Sequence, residues 1–207
     1  MTSQAGSASH WNRAYDLGDT TRSWFQDNPD QSLQMLDTAG VTSADSVLDI
    51  GGGASVLVDA LLARGFGDVT VLDISAIGLD IAKVRLGADP DRVSWLVTDL
   101  LRWRPDRTYR VWHDRAVFHF LTTPQTRERY RQSLRAATEA GSVAVFGTFA
   151  LDGPESCSGL PVARYDAANL ADEFGEDWGL IASGGEEHRT PSGGMQPFTW
   201  TAFGRRS

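Results

Sequence analysis

The chain has a single cysteine, Cys157, among its 207 residues. No disulfide can form within it, which suits a reducing compartment and a cytoplasmic location. Long hydrophobic runs are also missing. The longest apolar stretch, near Val143 to Leu151, is far too short to span a bilayer, which takes about 20 apolar residues. The start of the chain, Met1-Thr-Ser-Gln-Ala-Gly-Ser7, lacks the cationic and apolar regions of a signal peptide. Residues 1–9 therefore read as a disordered tail. Positive charge is in deficit too: the net charge is −8, which argues against a nucleic-acid partner. The one local cluster, Arg127-Glu-Arg-Tyr-Arg131, alternates in sign like a solvated helix face. His113, His119, His188 and Cys157 show no recognised ligand spacing, so no metal is expected. What remains is an ordinary soluble composition, 41% hydrophobic and 22% charged, without repeats or low-complexity blocks. It predicts one domain over 1–207, with 10–40 as an N-terminal helical segment.

Apolar runs alternate with helical patterns along the chain. Strands are predicted over 46–50, 69–73, 93–97, within 109–117 and over 142–149. Helices are predicted over 11–17, 30–39, 54–64, 76–86, 124–138 and 166–174, several of them closed by glycine. The Gly, Pro and Ser of 151–162 mark a loop, and two apolar segments, 178–183 and 198–203, complete the sheet. The alternation predicts an α/β fold: a doubly wound, mostly parallel sheet with helices on both faces.

The most informative stretch is Val47-Leu-Asp-Ile-Gly-Gly-Gly-Ala-Ser55, a buried strand running into a glycine turn and a helix. The next strand, Val69-Thr-Val-Leu-Asp-Ile-Ser75, ends on Asp73. A glycine turn lets the backbone approach a ligand, and a carboxylate at the end of the following strand can accept hydrogen bonds from both ribose hydroxyls. Asp73 could instead only cap a helix, but Ser75 already supplies that cap. The nicotinamide fingerprint fits Gly51 and Gly53 but falls on Val56 at its third place, and the phosphate loop's lysine is absent. Asp49, two residues before the first glycine, would repel a pyrophosphate and suits a cationic ligand. S-adenosylmethionine, with a sulfonium and an ammonium and no phosphate, meets that description.

Asp49-Ile-Gly-Gly-Gly-Ala-Ser55 resembles the first motif, D-x-G-x-G-x-G, of class I S-adenosylmethionine-dependent methyltransferases, with Ser55 at the third glycine. Asp73 and Ile74 match the family's ribose-binding position. Val97-Thr-Asp-Leu-Leu101 resembles its acidic third motif, so Asp99 and Leu100 are expected at the adenine. The resemblance implies a Rossmann-like methyltransferase fold with seven strands, the last antiparallel, and S-adenosyl-L-methionine as cofactor.

The fourth strand ends in Trp112-His-Asp-Arg-Ala-Val-Phe-His-Phe120, a dense polar cluster for a buried strand end. Asp114-Arg115-Ala116 is similar to the W-D-R-G-A of thiopurine and thiol S-methyltransferases, which implies that Arg115 approaches cofactor and substrate. Trp11 and Trp24-Phe-Gln26 resemble that group's N-terminal segment, which closes over the cofactor. The D-K-G-T of some protein lysine methyltransferases fits only at Asp114 and Arg115. The catalytic candidates are therefore His113, Asp114, Arg115 and His119, with the histidines and Asp114 as possible bases. The cofactor-binding candidates are Trp11, Trp24, Asp49, Gly51, Gly53, Asp73, Ile74, Asp99 and Leu100. The expected activity is methyl transfer to a small soft nucleophile such as a thiol. The alternatives are a protein lysine acceptor, a nicotinamide oxidoreductase and a module that binds the cofactor without turnover.

Overall fold

The computed structural model describes residues 6–16, 20–87 and 90–207. Seven strands form one sheet: β1 (Val47–Ile50), β2 (Val69–Asp73), β3 (Val93–Val97), β4 (Val111–Arg115), β5 (Val143–Phe149), β8 (Trp178–Arg189) and β9 (Met195–Arg205). Their order is β3-β2-β1-β4-β5-β9-β8. The first five pair in parallel, and β9 runs antiparallel to both of its neighbours. The expected sheet, with its antiparallel last strand, is the sheet observed. Every residue of β1, β2 and β5 is buried, as parallel strands covered on both faces require.

One hydrophobic layer packs α2 (Asp30–Thr38), α3 (Leu57–Ala63) and α4 (Ala76–Leu86) on the sheet through Leu36, Leu61 and Leu79. The opposite layer uses α5 (Pro124–Ala136) and α6 (Ala167–Phe174), through Tyr130, Leu134, Leu170 and Phe174. Caps fix the entry of three helices. Ser75 accepts from Gly78 N–H, Thr123 from Thr126 N–H and Asp166 from Asn169 N–H. An N-terminal helix, α1 (Ala8–Asp16), contacts α4. It begins inside the stretch expected to be a disordered tail. Residues 1–5 of that tail and Leu17, the end of the expected first helix, lie outside the described residues.

Three elements differ from the sequence reading. Helix α3 starts at Leu57 rather than Ala54, because 52–55 close a turn in which Ser55 N–H donates to the Gly52 carbonyl at 2.7 Å. The Ser55 hydroxyl then accepts from Leu57 N–H at 3.1 Å. The loop over 151–162 contains a small hairpin, β6 (Ser156–Cys157) and β7 (Leu160–Pro161). Strands β8 and β9 run well past the two apolar segments, pairing from Trp178 with Arg205 out to Arg189 with Met195. Their outer half is held by backbone pairing, and one face of the edge strand is wet, so Gly184, Gly185 and Glu186 carry no hydrophobic signal.

Candidate active site

The ends of β1, β2, β3 and β4 open into one cleft, roofed by the N-terminal segment and flanked by the β6–β7 hairpin. The glycine turn after β1 forms its floor. Gly51 and Gly52 N–H both donate to the Leu72 carbonyl, at 2.7 and 3.3 Å, which fastens the turn to β2. At Gly51, φ is +64 and a Cβ would lie 2.1 Å from Val117 Cγ2; at Gly52 a Cβ would lie 2.5 Å from Asp49 Oδ2. No other residue fits either place. Gly53, with φ +44, faces the Tyr15 hydroxyl and Asp73 Oδ2 rather than the open cleft.

Asp49 is buried, and its two oxygens do different things. Oδ1 lies 2.7 Å from His113 Nδ1, and His113 Nε2 lies 3.0 Å from the Ser32 hydroxyl of α2. The carboxylate can only accept, so Nδ1–H donates to it, and Nε2 pairs with the serine hydroxyl. The other oxygen, Oδ2, is buried with no partner beside the glycine turn. Asp73 ends β2 against the same turn and accepts from Ser75 N–H at 2.6 Å. Burial first, and the nearby charge of Asp49, lift its carboxyl to about 7, against the backbone N–H groups of Ser75, Gly53 and Ile74. Asp99 accepts from Leu101 N–H at 2.9 Å and stays partly exposed, with Ile74 and Leu100 lining the same end.

Strand β4 divides its polar cluster between two layers. His113 and Arg115 line the cleft; Asp114 points to the opposite layer. There Asp114 accepts from Val117 and Phe118 N–H at 3.0 and 3.2 Å and from the Tyr130 hydroxyl, while Tyr130 accepts from Trp112 Nε1 at 2.8 Å. Burial raises the Asp114 carboxyl to about 6. Its task is to hold the turn after β4, where Ala116 carries a left-handed φ of +66. His119 also lies away from the cleft lining. Its ring packs edge-on against Phe120 and tilted against Phe149, both nitrogens lack partners, and burial, then the Arg115 charge, pull it down to about 3. The structure thus brings His113 and Arg115 together and leaves Asp114 and His119, two of the expected bases, elsewhere.

The roof is aromatic. Trp11 meets Trp24 and Phe120 edge-on, with ring centroids 5.9 and 5.1 Å away. Tyr15 packs against Trp24 and lies where a side chain on Gly78 would stand. The sequence reading did not single out Tyr15, although a glycine inside α4 was a trace of it. Ser32, Tyr130 and Glu186 were likewise missed, because each acts through a partner distant in sequence. Glu186 accepts from Gln26 Nε2 at 2.8 Å and from Trp200 Nε1 at 2.7 Å, tying the roof to the sheet edge. Cys157 closes the far end, and burial raises its thiol.

The lining tests which adenosyl ligand fits. Among the described residues it holds Asp49, Asp73 and Asp99 and one guanidinium, Arg115. That suits a ligand carrying a cation and hydroxyl donors, and the three carboxylates would repel a pyrophosphate. The orphan oxygen of Asp49 beside the glycine turn fits an ammonium, so S-adenosyl-L-methionine fits and a nicotinamide dinucleotide does not. No helix among the described residues is long and apolar enough to cross a membrane.

Comparison with known proteins agrees. Residues 47–141 match a family model described as a methyltransferase domain. The eEF1A lysine and N-terminal methyltransferase of Mus musculus is 27% identical over 146 residues, covering 69% of this chain. The chain spans about 20% of that relative's length. Among solved structures, the N-methyltransferase NodS of Bradyrhizobium japonicum, in complex with S-adenosyl-l-homocysteine, superposes with a TM-score of 0.71 at 15% identity, covering 97% of this chain and 100% of its own. The [4+2]-cyclase SpnF gives the same TM-score at 11% identity, covering 100% and 99%, so the fold alone does not fix the reaction. Residues 47–141 are thus similar to a methyltransferase domain, within a Rossmann-like fold whose cleft fits S-adenosyl-L-methionine.

Proposed function

We propose that the protein transfers a methyl group from S-adenosyl-L-methionine to a small, soft nucleophile such as a thiol. The observation that carries this reading is that, among the described residues, none of the expected bases stands free in the cleft. His113 is held between Asp49 and Ser32, Asp114 faces the other layer, and His119 is buried among aromatic rings. An amine or alcohol must lose a proton to react, whereas a small fraction of a thiol, on the order of a few per cent, is already the reactive thiolate at neutral pH.

When bound, S-adenosyl-L-methionine supplies an electrophilic methyl carbon on a sulfonium. Asp49 Oδ2 would hold its ammonium and Asp73 its ribose hydroxyls. Ile74 and Leu100 would face the adenine, with Asp99 at the amino group. Gly51 would let the backbone come close, while Gly53 makes room for Tyr15 beside Asp73. His113 is a positioning residue in this scheme: it fixes Asp49 so that Oδ2 faces the cleft. Asp114 holds the turn that presents Arg115, and His119 is packing. Trp11 and Trp24, within the lid segment 10–40, exclude water and align the acceptor, a positioning effect worth up to about 7–11 kcal/mol in well-oriented reactions.

A protein lysine acceptor is the second reading, favoured by the mouse relative's name. The test is direct. The protein is incubated with S-adenosyl-L-methionine and either 2-mercaptoethanol or a mixture of cellular proteins. Methyl thioether and S-adenosylhomocysteine appearing in step support the thiol reading. Methyl-lysine, without thioether, replaces it with the second.

A further inference from the structure

Arg115 brings a charge into the cleft, and no carboxylate among the described residues bonds to it; the charges of Glu186 and Asp49 act on it only at a distance. It ends β4, and its guanidinium lies over the Phe198 ring, 5.0 Å from the ring centre. Nη1 donates to the Trp24 carbonyl at 2.9 Å. Nε and Nη2 are both buried without a partner. These two nitrogens form one edge of the guanidinium, the edge that meets both oxygens of a carboxylate in a fork.

The surrounding groups do not fill that edge. Glu186 has one oxygen on Gln26 and the other on Trp200. Asp49 gives Oδ1 to His113, and its Oδ2 lies against Gly52. Burial pushes the Cys157 thiol up, away from the thiolate form. His119 and His188 carry no negative charge in any state. Burial lowers Arg115 itself only to about 10, so the guanidinium is cationic at neutral pH. A buried donor pair is costly to leave open and becomes favourable once an anion arrives. The position narrows the ligand. Arg115 ends β4 and lies over Phe198 of β9, across β1 from Asp73 at the end of β2 and Asp99 after β3.

We propose that Arg115 selects the acceptor: its Nε and Nη2 receive a carboxylate on the small molecule to be methylated, and its charge disfavours a cationic acceptor such as a lysine side chain. The proposal rests on the reading of the cleft as a methyl-transfer site.

The test uses three thiols of similar size: 3-mercaptopropionate, 2-mercaptoethanol and cysteamine, which are anionic, neutral and cationic. Each is titrated by calorimetry into the full chain saturated with S-adenosylhomocysteine, for the native protein, R115Q and R115K. The native protein should bind 3-mercaptopropionate at least tenfold more tightly than 2-mercaptoethanol, and cysteamine most weakly. R115Q should lose that preference. R115K, which keeps the charge and loses the fork, should keep part of it, and so separates a lost contact from a lost fold. Equal binding of the three, no binding of any, or a preference that survives in R115Q overturns the proposal. So does an R115Q protein that binds S-adenosylhomocysteine tenfold more weakly yet binds 5′-methylthioadenosine normally, because the guanidinium would then hold the cofactor's own carboxylate. Turnover on the same thiols keeps the two readings apart. Thioether formed equally from all three refutes the role of Arg115 alone. A binding preference without any thioether refutes methyl transfer to thiols alone.

Discussion

Asp73→Asn separates what a buried carboxylate costs from what it binds. The group is nearly inaccessible, and burial lifts it from 3.8 to about 7. The folded value lies above the unfolded one, so the folded state holds the proton more tightly. The stability this contributes is complete below 3.8 and is lost as pH rises through about 7. At pH 8 the ionised carboxylate therefore costs up to roughly 4 kcal/mol relative to a neutral side chain. Asparagine keeps one acceptor oxygen for Ser75 N–H and removes the charge beside Asp49. It also gives up acceptor strength toward the backbone N–H groups of Gly53 and Ile74, so the net gain should be about 1–2 kcal/mol, a rise of about 2–8 °C in Tm for a chain of this size. Binding moves the other way. Two ribose hydroxyls would lose a charged acceptor, worth about 1.5–3 kcal/mol, a tenfold to roughly 150-fold weaker Kd for S-adenosylhomocysteine. Thermal melts and calorimetry at pH 8 and pH 5.5 read both effects. At pH 5.5 Asp73 is already protonated, so the stability difference should shrink, and the native protein should itself bind more weakly than at pH 8. A variant that is less stable at pH 8 and binds S-adenosylhomocysteine like the native protein would refute the argument.

Gly52→Ala would place a Cβ 2.5 Å from both Asp49 Oδ2 and Val71 Cγ1, so it should lower affinity for S-adenosylhomocysteine at least tenfold by calorimetry. Tyr130→Phe removes the hydroxyl shared by Asp114 and Trp112 and should cost about 2–4 kcal/mol in urea unfolding, while cofactor affinity stays within twofold. Ala116→Gly relieves a left-handed φ of +66 and should raise stability by about 0.5–1 kcal/mol, read as a higher urea midpoint at unchanged slope.

The parallel half of the sheet was legible because its strands are short apolar runs punctuated by glycine and by caps such as Ser75. The antiparallel half was legible only where β8 and β9 are buried; its outer length is a matter of backbone pairing. At the site, Asp49, Asp73 and Asp99 announced themselves by position, each within two residues of the end of a predicted strand. The polar cluster of β4 was visible but its division was not. Alternation along a strand sends His113 and Asp114 to opposite faces, and a one-residue uncertainty in register exchanges them. His119 reads as a base by residue type, and only its aromatic surroundings show otherwise. The partners of these groups, Ser32 and Tyr130, come from helices on either side of the sheet and leave no local trace.

The most direct measurement follows a labelled methyl group. The protein is incubated with methyl-labelled S-adenosyl-L-methionine and a cell lysate, and label is counted in the protein precipitate, the soluble small-molecule fraction and the headspace. The account predicts label in small or volatile products, identified as methyl thioethers by mass spectrometry. Label confined to one protein band would contradict it and make a lysine side chain the acceptor.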